Sequence, residues 1–244
     1  MANPIIERMA EQSERDVTID SNSVMTINGT IQATAILGAV MVLSAAFCWS
    51  RFSLGYTDIG VMLTGGGAIV GFILALIICF TKTKALIPVY ALCEGLFLGG
   101  ISSSFEASYP GIVVQAVTGT FAAFFAMLMF YRMGIITCTD KFRSVIIIST
   151  ASIAGIYLID IIGHFFGFSV PVINSSSSLG IAFSVVVVIV AALNLIIDFE
   201  FVERGERMML PKDYEWFGAF GLLVTVVWLY IEILKLLAKL SSRR

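Results

Sequence analysis

The chain has 244 residues, of which 58% are apolar and only 13% charged, with a formal net charge of -2 at pH 7. A soluble domain carries roughly a quarter of its residues as charges, so water cannot be the main solvent for this chain. No basic face exists to neutralise phosphates, which excludes a nucleic-acid partner, and a single histidine, His164, excludes His-rich metal sites and most His-based catalysis.

Residues 1–24 are polar and mildly acidic and do not have the makeup of a cleavable signal; they are expected to form a cytoplasmic tail. A helix needs about 20 apolar residues to cross about 30 Å of hydrocarbon. Such runs occupy residues 29–50, 59–80, 85–104, 111–131, 144–166, 179–202 and 216–238. The second contains Thr64-Gly-Gly-Gly67, which close helix packing explains better than phosphate binding. The third contains Glu94 beside Gly95 and Gly99, a GxxxG pair that lets another backbone come close. The connections are short and hold charges, Gly, Pro or the Asn174-Ser-Ser-Ser-Ser178 stretch, ordinary turn chemistry. Continuous apolar runs exclude an alternating β-barrel. The expected fold is therefore an all-α membrane bundle of seven spans over residues 25–240, followed by a basic tail at 241–244. Cys48, Cys79, Cys93 and Cys138 read as packing residues rather than a disulfide framework.

Lys and Arg set the orientation. Arg8 and Arg15 of the tail, with Lys82, Lys84, Arg132, Lys141, Arg143, Arg204, Arg207 and Lys212 of the second, fourth and sixth connections, lie on one side. The opposite connections hold Arg51 alone. This predicts a cytoplasmic N-terminus. Seven spans then place Lys235, Lys239, Arg243 and Arg244 on the far side, against the charge rule. Either the last span crosses and the tail follows, or it re-enters and returns; the length of 216–238 favours crossing.

Ionisable side chains inside a span are costly and are functional candidates by default. Glu94, Asp160, Asp198 and Glu232 are all acids, and only Lys235 offers a cation at comparable depth. Low dielectric disfavours a charged carboxylate, so these acids stay protonated, pair with each other or meet cations. Asp198 lies towards the inner end of the sixth span, one turn after Asn194. In the seventh span Gly218, Gly221, Thr225 and Glu232 share one helical face, which looks inward. Lys235, three residues beyond Glu232, can pair with it. Asp160 and His164, spaced i, i+4, read as an interfacial anchor. No GxSxG, HExxH or P-loop is present, so no enzyme is expected.

Met25-Thr-Ile-Asn-Gly-Thr-Ile31, Tyr90-Ala-Leu-Cys-Glu-Gly-Leu-Phe-Leu-Gly-Gly-Ile-Ser102, Asn194-Leu-Ile-Ile-Asp-Phe-Glu200 and the Trp216 to Leu237 ending resemble the Bax inhibitor-1/YccA family, in its bacterial branch. The resemblance implies six helices around a central seventh and a pH-sensitive Ca2+ leak through a bacterial inner membrane. It also implies a carboxylate pair on the last two helices that shares a proton, and a basic latch at the end of the second helix. Asp198 matches the first carboxylate. Thr225 stands at the position of the second, with Glu232 two turns further on. Asp198 is left to pair with Glu94 or to accept a hydrogen bond from Thr225. The latch position falls at Thr81, which makes Lys82 the substitute, with Lys84 close by.

These readings give a cation leak channel gated by protonation of buried carboxylates, with Asp198, Glu94, Thr225 and Glu232 as sensor and ion pathway. Ca2+ is the permeant ion and Asp198 and Glu94 its transient contacts; no cofactor and no resident metal are expected. The rival is a non-conducting regulator that binds another membrane protein, such as an ATP-dependent protease, through the tail and the GxxxG face.

Overall fold

The computed structural model describes residues 24–168 and 170–243; nearly all of the expected polar tail, with Arg8 and Arg15, and Arg244 lie outside them. The chain runs α1 (Ile27–Ser53), α2 (Thr57–Thr81), a 3-10 turn (Lys84–Leu86), α3 (Ile87–Ser108), α4 (Ile112–Arg132), α5 (Asp140–Phe165), a short α6 (Pro171–Asn174), α7 (Ser178–Arg207) and α8 (Tyr214–Ser241). Among the described residues seven helices are long and apolar enough to span a membrane, with α7 and α8 as the sixth and seventh. The sole β-pairing among those residues is an isolated bridge between Val24 and Pro211.

Local chemistry sets the ends. Thr26, Thr139 and Ser177 cap α1, α5 and α7, each side chain accepting from the backbone N–H three residues on, which satisfies an otherwise orphaned donor. The helices outrun their apolar cores. α7 continues past the expected end at 202 to Arg207, because good helix formers such as Glu and Arg carry it beyond the hydrocarbon. α6 falls inside what the sequence presents as a plain turn; Pro171 opens it with a pre-set φ.

α8 is the most buried of the seven spans and forms the centre. One side of it, Ala219, Phe220 and Leu223, packs on Ala33 and Leu37 of α1, Ile78 of α2 and Ile87, Tyr90 and Ala91 of α3. Leu222 and Leu229 pack on α7 through Leu195, Ile196 and Phe199. Val227, Tyr230 and Leu234 meet Leu98 of α3 and Ile112 and Ala116 of α4. α5 lies at the rim and reaches the bundle through Ile153 against Val187 and Val190.

Glycines decide how close α1, α2 and α3 come. A Cβ on Gly95 would strike Ser44 and the Met41 carbonyl, and one on Gly99 would strike the Ala45 carbonyl. The GxxxG face is therefore taken up by α1 and is not offered to another protein. Of the three glycines in the Thr64–Gly67 run only Gly67 meets a neighbour, 2.6 Å from the Cys93 carbonyl as a Cβ would measure it, whereas Gly65 and Gly66 face open space. The expectation of close packing holds there for one glycine of the three.

α8 is a single unbroken helix of 28 residues, about 42 Å at 1.5 Å per residue. Its start lies beside the start of α1, and its end lies beside the start of α7, where Lys239 donates to the Gly180 carbonyl. The re-entrant alternative for the last span is excluded. Lys235, Lys239 and Arg243 sit at the end of the bundle opposite the start of α1.

Candidate functional site

Polar groups inside the bundle fall into three layers along α8. The first lies where α1 begins. Glu215, buried in the first turn of α8, accepts from the backbone N–H of Thr26 at 3.0 Å and from its hydroxyl at 2.9 Å. Glu206, near the end of α7, accepts from Ile27 N–H at 2.9 Å. Two carboxylates thus meet the positive end of α1, where backbone donors are unsatisfied. Gly29 has no room for a Cβ because the Glu215 carboxyl occupies it. Met25, fully buried, lies against Gly205 and Gly218. This is what the Met25–Ile31 motif does: it fastens the first helix to the α7–α8 turn.

The second layer lies deeper in the bundle. Asp198 is nine residues before the end of α7, about 14 Å along the axis. The Thr225 side chain of α8 lies opposite its carboxyl, and Gly221 lies one turn before, its missing Cβ leaving 3.5 Å to Oδ1. The other oxygen, Oδ2, is buried without a hydrogen-bond partner. Glu94 lies instead beside Tyr90, one turn back on α3, and its carboxyl faces Gly71 of α2. The structure therefore sets the two acids in different helix contacts, Asp198 against Gly221 and Thr225 of α8 and Glu94 against Gly71 of α2. Tyr90 ties the contacts together, its ring edge-on to Phe220 at 4.9 Å, next in sequence to Gly221. Asn194, one turn from Asp198, donates to Thr150 of α5 at 2.9 Å.

The third layer holds Glu232, 1% exposed. Its Oε2 accepts from the Tyr157 hydroxyl of α5 at 2.8 Å and its Oε1 from the Lys235 ammonium at 3.1 Å. That ammonium also lies 4.6 Å from the Tyr157 ring centroid. Lys239 turns away and donates to Ser184 at 2.8 Å and to the Gly180 carbonyl at 3.1 Å. Above these residues a cleft of about 570 Å³ opens at the end of the bundle, lined among others by Tyr109, Tyr157, Asp160, Lys235 and Lys239. Asp160 accepts from Val170 N–H at 2.7 Å, and the His164 ring reaches its backbone carbonyl at 2.9 Å, so the pair folds the turn after α5.

Between the second and third layers the α7–α8 contact is apolar, while on the α3 side the buried Ser102 and Tyr230 hydroxyls meet at 2.6 Å. Ala191 and Leu195 of α7 and Leu229 of α8 are all buried in the α7–α8 contact, and Val187 and Val190 carry Trp228. Glu232 is seven residues beyond Thr225, about 10 Å along α8.

Of the latch residues, Lys82 closes α2 in the left-handed conformation, φ 52°. Lys84 instead reaches α8, pairing with Asp213 at 2.5 Å at the exposed surface. Glu200 and Glu203 take the Tyr131 hydroxyl and the Arg207 guanidinium. Sequence reasoning passed over Glu206, Glu215 and Tyr157. Glu215 carried a readable signal, an acid just ahead of an apolar run that follows the turn; Tyr157 carried none, because a tyrosine in an apolar helix looks like any other aromatic.

Among the described residues no group of three or more His, Cys, Asp or Glu side chains stands ready to hold a metal ion. A buried carboxyl oxygen without a partner calls for a donor, water or a cation.

A family model described as Bax inhibitor 1 like matches residues 3–242, nearly the whole chain. No curated protein matches it.

Proposed function

The chain belongs to the Bax inhibitor 1 like family, and from that premise we propose that it is a pH-sensitive Ca2+ leak channel of a bacterial inner membrane, with its N-terminus in the cytoplasm. The observation that carries this reading is Asp198: a carboxyl in the middle of the bundle, at the contact of the two last spans, with Oδ2 buried and unpartnered. Protonated, it sits against Thr225 and Gly221 and the helices stay together. Ionised, it is a charge in low dielectric with one hydroxyl for company, which favours separation of α7 and α8 and admission of water and a hard cation that prefers oxygen ligands. The apolar layer of Leu195 and Leu229 keeps the passage shut while the acid is neutral. Glu94 lies at similar depth on α3 and lends a second carboxyl to the wall of the same inner half.

The test is Ca2+ flux into proteoliposomes from about pH 6 to 8, the range in which buried carboxyls commonly report, for wild type and Asp198→Asn. Flux that rises with pH in the wild type and stays low and flat in the variant supports the reading. Correctly folded protein that passes no Ca2+ above empty liposomes at any pH overturns it and leaves a partner-binding regulator as the function.

A further inference from the structure

The third layer asks for an explanation of its own. Glu232 is the most deeply buried acid of the described residues, 1% exposed, and the family resemblance assigns it no role. With Tyr157 it forms a cation cage: its own carboxylate oxygen at 3.1 Å and the aromatic face at 4.6 Å, both directed at one ammonium. Carboxylate and ring quadrupole both attract positive charge. The occupant of the cage is the chain's own Lys235. That lysine and Tyr157 also line the cleft, whereas Glu232 does not, so the two side chains form a floor between the cleft and the buried acid.

We infer that Glu232 is a cation-binding station on the cleft side of the pathway and that the Lys235 ammonium is its tethered plug, holding the place of an arriving divalent cation until it swings out into the cleft. A lysine suits this work. Its ammonium is a compact charge on a flexible stem, half-exposed at 38% while its partner is at 2%, and it has open space of about 570 Å³ to move into. Lys239 does not compete for the acid, because Ser184 and the Gly180 carbonyl hold it. Asp160 lines the same cleft, its Oδ1 held by Val170 N–H. A cation released from Glu232 meets the apolar layer next, so this station loads the passage from the cleft while Asp198 governs the far side of that layer.

The inference rests on the leak-channel reading, and its test separates the two. Ca2+ flux driven from the cleft side is measured at one pH for wild type, Lys235→Met, Lys235→Arg and Glu232→Gln. Removal of the ammonium with the stem kept raises flux severalfold in Lys235→Met. Lys235→Arg, which restores a positive charge at the position, brings flux back below that of Lys235→Met, which excludes a mere packing effect. Glu232→Gln, which preserves shape and removes the charge, lowers flux below wild type. If wild type leaks and Lys235→Met leaks at the same rate, the plug is overturned while the channel stands. If none of the proteins leaks, both are overturned.

Discussion

Asp198 of α7 faces Thr225 of α8, an acid opposite a hydroxyl, across a contact that Gly221 keeps narrow. A threonine can donate one hydrogen bond but cannot share a proton as a second acid would. The sensor proposed for this chain therefore titrates as a single group, and its pH response should be a simple one-step curve.

Thr225→Asp converts the contact into a carboxyl pair. Two acids that close cannot both ionise easily, so the flux profile should split into two steps, the upper one above the wild-type midpoint. A profile identical to wild type would show that position 225 does not face Asp198 as the channel opens.

The glycines make a sharper statement about packing. Gly95→Leu forces a side chain into the Met41 carbonyl and the Ser44 hydroxyl of α1, and overpacking of this kind costs about 1–3 kcal/mol. Gly66→Ala points into open space and should change stability by no more than about 1 kcal/mol, in the stabilising direction through helix propensity. Thermal unfolding in detergent measures both, and equal melting temperatures for the two variants would contradict the α1–α3 contact.

Glu215 is expected to matter for stability rather than for flux. Its carboxylate accepts two hydrogen bonds from Thr26, and loss of a buried charged acceptor costs about 1.5–3 kcal/mol. Glu215→Ala should lower the melting temperature and leave the pH dependence of the remaining flux unchanged. A shifted pH profile at unchanged stability would move Glu215 into the sensing machinery.

Lys84 and Lys82 divide the expected latch between them. The Lys84–Asp213 pair is half-exposed on both sides, so Lys84→Ala should cost no more than about 1 kcal/mol. As the basic residue that holds the head of α8, it should nevertheless raise flux at the acid end of the range when removed, while Lys82→Ala does not. The same flux assay decides between them, and indifference to both substitutions would dismiss a latch in this connection.

Much of this molecule is legible in its amino-acid sequence. Hydrocarbon thickness translates directly into run length, so seven spans and their order follow from the apolar runs alone. The expense of charge in lipid singles out Glu94, Asp198 and Glu232 with no alignment. The Glu232–Lys235 pair is also legible, because i, i+3 spacing on a helix is local geometry. What the tertiary structure alone decided is who faces whom. Asp198 was open to Glu94 or Thr225, and it meets Thr225; Glu94 meets Tyr90 and Gly71; Tyr157 comes from a distant helix to hold Glu232. These contacts depend on how each helix is rotated about its axis. In a membrane the lipid-facing side is as apolar as the core, so the residue pattern carries little record of that rotation. It is set by steric fit, above all by Gly95 and Gly99 against α1 and Gly221 against Asp198, and such fit exists only once the helices are together.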